Sequence, residues 1–178
     1  MLRPASVVLL ATIAISQATT LEKLALDEMI QRSTEIVRGT VMSTYAVQRG
    51  SMIYTMAKID VTERFKGPAV SAVEVAIPGG SLNGVRQSIS GAPYVAPGSQ
   101  YVFFLWTGRN AITQIIGLSQ GLVNLKEDLS GVTLAAREPI TESLVDGRTR
   151  QPVSDDRMVM TLDELRRRIK GVLGAAKE

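Results

Sequence analysis

The chain has no cysteine and no histidine among its 178 residues. Without cysteine there is no disulfide, no thiolate nucleophile, no iron–sulfur ligand and no attachment point for c-type haem. Without histidine there is no Ser-His-Asp triad, and with both missing the usual zinc ligand sets are gone. No metal site, cofactor or catalytic residue is therefore assigned from the sequence. Aromatic residues are few: one Trp, four Tyr and three Phe. No large charge of one sign is present either, with 20 Lys and Arg set against 17 Asp and Glu. That balance argues against nucleic acid as a partner.

What is present begins at the N-terminus. Met1-Leu2-Arg3-Pro4 is followed by an apolar run from Ala5 to Ile15 and then by Ser16-Gln17-Ala18. A basic start, a short apolar stretch and small residues before a cleavage point have the form of a secretory signal peptide. The expected cut falls between Ala18 and Thr19, giving a leader of residues 1–18 and a single globular domain of residues 19–178. The run is too short to span a bilayer, which takes roughly 20 apolar residues. No transmembrane segment is expected after cleavage, and no cysteine is available for lipidation. The expected location is export, to the periplasm or the extracellular space. A terminal Thr19 could act as a nucleophile served by its own amine. Helix capping is the simpler reading, because Thr19 and Glu22 fit a capping box.

Beyond the leader, Leu21, Leu24, Leu26, Met29 and Ile30 predict a helix over 19–33. The period then changes to two. Val37, Gly39, Val41 and Ser43 share one face of a strand. Gln48 to Ser51 reads as a turn, followed by a long strand from Met52 to Phe65 with Ile53, Thr55, Ala57, Ile59 and Val61 on one face. Lys66-Gly67-Pro68 breaks it, and Val70 to Ile77 forms the next strand. Tyr101 to Trp106 is apolar on both faces, which predicts a central, buried strand. Further strands are expected over 111–116, 121–126 and 131–136. Residues 138–158 are polar and aperiodic and read as an extended loop. Thr161-Leu162-Asp163-Glu164 is a second capping box, opening a final helix over 161–173 with Leu162, Leu165, Ile169 and Leu173 in one stripe. The predicted class is mainly β, or α+β: a small antiparallel barrel over about 34–136 with one N-terminal and one C-terminal helix.

Several of these segments resemble a known family. Glu35 to Val41 looks like the first strand of the netrin/tissue-inhibitor-of-metalloproteinase type of OB-fold. Tyr54 to Gly67 is similar to its second strand and turn, and Val73 to Gly80 to its third. Pro97-Gly98-Ser99-Gln100 leading into Tyr101 to Leu105 resembles a turn and strand found in exported bacterial relatives of unknown function. The resemblance covers residues 34–125 and implies an OB-like β-barrel. The inhibitors of that family use an N-terminal cysteine to chelate a catalytic zinc. This chain resembles a cysteine-free variant of that family, so that mechanism does not carry over.

The segment Pro78 to Gly98 holds the candidate contact surface. Three prolines and five glycines punctuate it, and Asn83-Gly84 predicts a type I′ hairpin turn over 82–89. Long connections on a rigid scaffold commonly carry binding. Asn83, Arg86, Gln87 and Tyr94 are the candidate partner-binding residues. The function expected from these features is a secreted, non-catalytic binding module for an envelope or extracellular protein. Two alternatives stand beside it. A hydrolase using carboxylates alone would draw on Glu127-Asp128 or Asp155-Asp156. An envelope-surface protein would touch anionic lipid or polymer through the basic helix bearing Arg166, Arg167 and Arg168.

Overall fold

The computed structural model describes residues 20–176. The leader and its boundary at Ala18 and Thr19 lie outside the described residues. In chain order the elements are β1 (Thr20–Glu22), α1 (Leu26–Arg32), β2 (Glu35–Arg49), β3 (Met52–Lys66), β4 (Ala72–Pro78), β5 (Gly80–Leu82), β6 (Val85–Gln87) and β7 (Gln100–Thr107). They continue as β8 (Thr113–Ile115), β9 (Leu122–Glu127), β10 (Thr133–Arg137), β11 (Ser143–Val145), β12 (Pro152–Val153), β13 (Met158–Thr161) and α2 (Leu162–Ala175).

The fold is mainly β and is built on one antiparallel sheet in the order β13-β10-β9-β7-β2-β3-β4, with β8 paired to the end of β7. Its spine is the β2–β3 hairpin, two 15-residue strands that reverse at Gly50, where φ is 61°. Alternation along these strands sets the register, because a one-residue slip would move each side chain to the opposite face of the sheet. The pairing shifts at Ile36/Val37, Arg38/Gly39 and Val41/Ser43. Such bulges bend and twist a strand. Gly39 is required at one of them, since a Cβ there would stand 2.5 Å from the Asp60 carbonyl oxygen.

The sheet has a core on each face. Val37, Ile59, Val75, Ile77, Phe103 and Leu105 lie in one, and Ile36, Val102, Phe104, Leu165 and Ile169 lie in the other. Strand β7 supplies both through alternate residues, which is why it is apolar throughout. Helix α2 covers the second core and opens with the full capping box: Glu164 N–H donates to Thr161 Oγ1 at 3.1 Å, and Thr161 N–H donates to Glu164 Oε2 at 2.7 Å.

Three expectations change. The strands do not close into a barrel among the described residues: β4 and β13 end the sheet, and β8 approaches β4 without a hydrogen-bonded ladder. Closure would need ladder bonds between those edges, and each edge pairs on one side only. The N-terminal helix is confined to Leu26–Arg32, and Glu22 belongs to a strand rather than a capping box. Strand β1 runs parallel to β11, with Thr20 opposite Ser143. The buried Gln120 locks this segment: it accepts from Leu24 N–H at 2.8 Å and donates to the Glu22 carbonyl at 2.9 Å. Finally, the polar stretch 138–158 contains β11, β12 and the first residue of β13. No described helix is long and apolar enough to cross a membrane.

Candidate functional site

The segment between β4 and β7 is tied to the body of the protein at several points. Gly79 and Gly80 adopt φ of 97° and 142°, conformations that favour glycine. A Cβ on Gly80 would also stand 2.7 Å from Thr55 Oγ1. This close approach lets Gly79 N–H donate to the Ile53 carbonyl at 2.7 Å and Thr55 Oγ1 donate to the Gly79 carbonyl at 2.9 Å. The β5–β6 hairpin follows, turning through Asn83 and Gly84 with φ of 50° and 78°. Positive φ at both central residues is the type I′ requirement that the Asn-Gly pair predicts.

The remainder is anchored at several points. Ser119 N–H donates to the Gly91 carbonyl at 3.1 Å, Gly98 N–H to the Val41 carbonyl at 2.8 Å, and Ala96 N–H to the Tyr101 hydroxyl at 3.3 Å. Val95 is buried in the core between these anchors. Its neighbour Tyr94 is 82% exposed and has no hydrogen-bond partner among the described residues.

Thr44, Thr55, Ser81, Arg86, Gln87, Ser88 and Tyr94 line a cleft of about 370 Å³ over a floor of Ile77, Ile89 and Val95. The structure thus brings together three of the four candidate residues. Asn83 is not among the lining residues; it occupies the hairpin turn. Gln87 has a positioning role, because its Oε1 accepts from Ile53 N–H at 2.7 Å and so ties β6 to β3. Arg86 forms no ion pair or hydrogen bond among the described residues and is exposed. The lining threonines were not legible as site residues. They lie on long strands, and only the fold of the 78–98 segment over those strands gives them a role.

Across the Pro93-Tyr94 ridge lies a second cleft of about 340 Å³. Ser119, Asn124, Arg137, Thr141 and Glu142 line it, together with Pro93 and Tyr94. Glu142 is held by the Ser90 hydroxyl, which donates to it at 3.3 Å. The Asn124 side chain makes no hydrogen bond among the described residues and is partly exposed.

The acidic pairs have other surroundings. The Asp155 side chain is 2% exposed and accepts from both terminal nitrogens of Arg137, at 2.5 and 3.2 Å, and from Ile140 N–H at 3.0 Å. Burial pushes its carboxyl up, but the guanidinium and the backbone donors more than offset this and hold it below the ordinary carboxylate value. The Asp156 side chain is 89% exposed and stands 3.6 Å from Lys23 Nζ. The two carboxylates therefore do not face one cleft. Asp128 accepts from Ser130 and Val132 N–H groups and closes a turn beside Glu127. On α2, Arg166 grips Glu63 through bonds of 2.8 and 2.6 Å, and Arg168 grips Asp27. Of the arginine triplet, only Arg167 lacks an acidic partner among the described residues. No family model, curated protein or solved structure matches the chain.

Proposed function

We propose that this protein is an exported, non-catalytic binding module whose contact surface is the cleft bounded by Arg86 and Tyr94. One observation carries the reading. An arginine and a tyrosine, both unpartnered among the described residues, flank a cleft on a segment held by backbone hydrogen bonds at both ends. Presenting polar and aromatic groups on a pre-ordered scaffold lowers the ordering cost of binding. The antiparallel run β7-β2-β3-β4, with β8 lying beside β4, supports an OB-like arrangement left open along one seam. The engagement of Arg166 and Arg168 by acids weighs against the basic helix as the main contact.

Two measurements test this reading. Mass spectrometry of the protein recovered from outside the cytoplasm should find Thr19 as the first residue; recovery of the chain with residues 1–18 still attached would remove the export claim. Purified protein should bind envelope or extracellular material from the native source. A double Arg86→Ala, Tyr94→Ala variant should lose at least tenfold in affinity, about 1.4 kcal/mol, while Arg167→Ala, Lys170→Ala should bind as the parent does. The opposite pattern, with salt-sensitive loss only in the helix variant, would transfer the contact to α2.

A further inference from the structure

The two clefts meet at Tyr94, and we propose that together they form one groove that takes a neutral oligosaccharide, with the Tyr94 ring stacked beneath a sugar. The inference rests on the reading above that this surface binds a partner, and it names the partner's chemistry.

The first argument is shape. Pro93 and Tyr94 line both clefts, so the ridge they form is the shared wall of spaces of about 370 and 340 Å³. Each is in the ordinary range of a small-ligand cleft, and a chain of rings crossing the ridge would occupy both. The second argument is the amphipathic lining. The first cleft has an aliphatic floor of Ile77, Ile89 and Val95 below a rim of hydroxyls. The second is lined by Ser119, Asn124 and Thr141 together with the charged Arg137, Glu138 and Glu142. Hydroxyl and amide side chains both donate and accept, as sugar hydroxyls do, while the C–H face of a sugar ring suits an exposed aromatic face.

Charge and backbone chemistry separate this class from others. Arg86 stands on one side of the ridge; on the other, Arg137 is paired with Asp155, and Glu138 and Glu142 line the space. A polyanion would need cations along the whole track. An extended peptide binds by pairing with open main-chain groups. Beside the first cleft the main-chain groups of Ile53 are already used, its carbonyl by Gly79 and its N–H by Gln87. The backbone that carries the ring is preset: Val95 is buried beside it and Gly91 and Gly98 are bonded to the body, so binding needs little backbone reordering.

Calorimetric titration of the purified protein with maltohexaose, cellohexaose and chitohexaose tests the inference. At least one should bind with micromolar to millimolar affinity. Tyr94→Ala should weaken that binding about tenfold, and Asn124→Ala severalfold, with far-UV circular dichroism unchanged because both side chains lie at the surface. Failure of all three sugars to bind, or binding indifferent to Tyr94→Ala, would overturn it. Capture of envelope or extracellular material that needs Arg86 and Tyr94 but survives glycosidase treatment would mean a protein partner. The oligosaccharide would then fall while the binding module stands; no capture and no sugar binding would remove both.

Discussion

At the residue scale, Asp155 and Asp156 meet opposite surroundings. As neighbours in sequence they look like a matched acidic pair. In the fold one is sealed against Arg137 and the other stands in solvent beside Lys23. No local pattern announces this, because Arg137 comes from β10 and pairs across a segment that contains β11 and β12. Removing one partner of a buried pair leaves an uncompensated charge. Asp155→Ala should therefore lower the unfolding free energy by about 3 kcal/mol, read as a shift of the urea midpoint near neutral pH. The pH dependence has a defined sign. A carboxyl held lower in the folded than in the unfolded chain stabilises the fold above its unfolded value, near 4. That stabilisation is lost as pH falls through the folded value. The native protein should thus weaken on acidification below about pH 4, and Asp155→Ala should show a shallower decline in the same urea series.

At the element scale, local signals held where no distant partner competed for the same residues. The capping box at Thr161 and Glu164 forms as the motif requires, and Thr161→Ala should cost about 1 kcal/mol in thermal or urea unfolding. Of the similar pattern at Thr19 and Glu22, Thr19 lies outside the described residues and Glu22 lies in β1. There β11 supplies the ladder and Gln120 supplies the side-chain bonds, both from about a hundred residues downstream. The strands β11 and β12, of three and two residues, are too short to show a period. The Asn83-Gly84 turn was legible because positive φ restricts which residues can occupy it. Gly84 has φ of 78° and open space around it, so Gly84→Ala adds backbone strain without a clash. The expected cost is about 1 kcal/mol, confined to the hairpin. Hydrogen exchange should quicken at Val85 to Gln87 while the global melting temperature holds. A fall in global stability equal to the local one would show that the hairpin is part of the cooperative core.

For the whole molecule, β7 is the shared wall of two cores. Phe103 points into one and Phe104 into the other, and both are fully buried. Phe103→Ala and Phe104→Ala should each cost about 3–5 kcal/mol. Because one strand joins the two cores, unfolding should appear as a single transition, coincident by far-UV circular dichroism and by fluorescence of Trp106 at the end of that strand. Separate transitions for the two variants would mean that the cores melt independently. The bonds from Arg166 to β3 and from Arg168 to α1 hold the helical layer on the sheet. They explain how a run of three basic residues serves the fold while resembling a contact surface.

Sequence alone determined the chemistry this chain lacks and the elements whose signals are local: the long alternating strands, the doubly apolar β7, the Asn-Gly turn and the capped final helix. Each follows from side-chain period or backbone restriction within about ten residues, which is the range over which such forces act without a tertiary partner. Tertiary structure alone decided that the sheet stays open, that Gln120 fixes the N-terminal strand, that Asp155 is sealed, and that Tyr94 stands between two clefts. These depend on side chains brought together from distant parts of the chain, where burial and hydrogen bonding override local pattern.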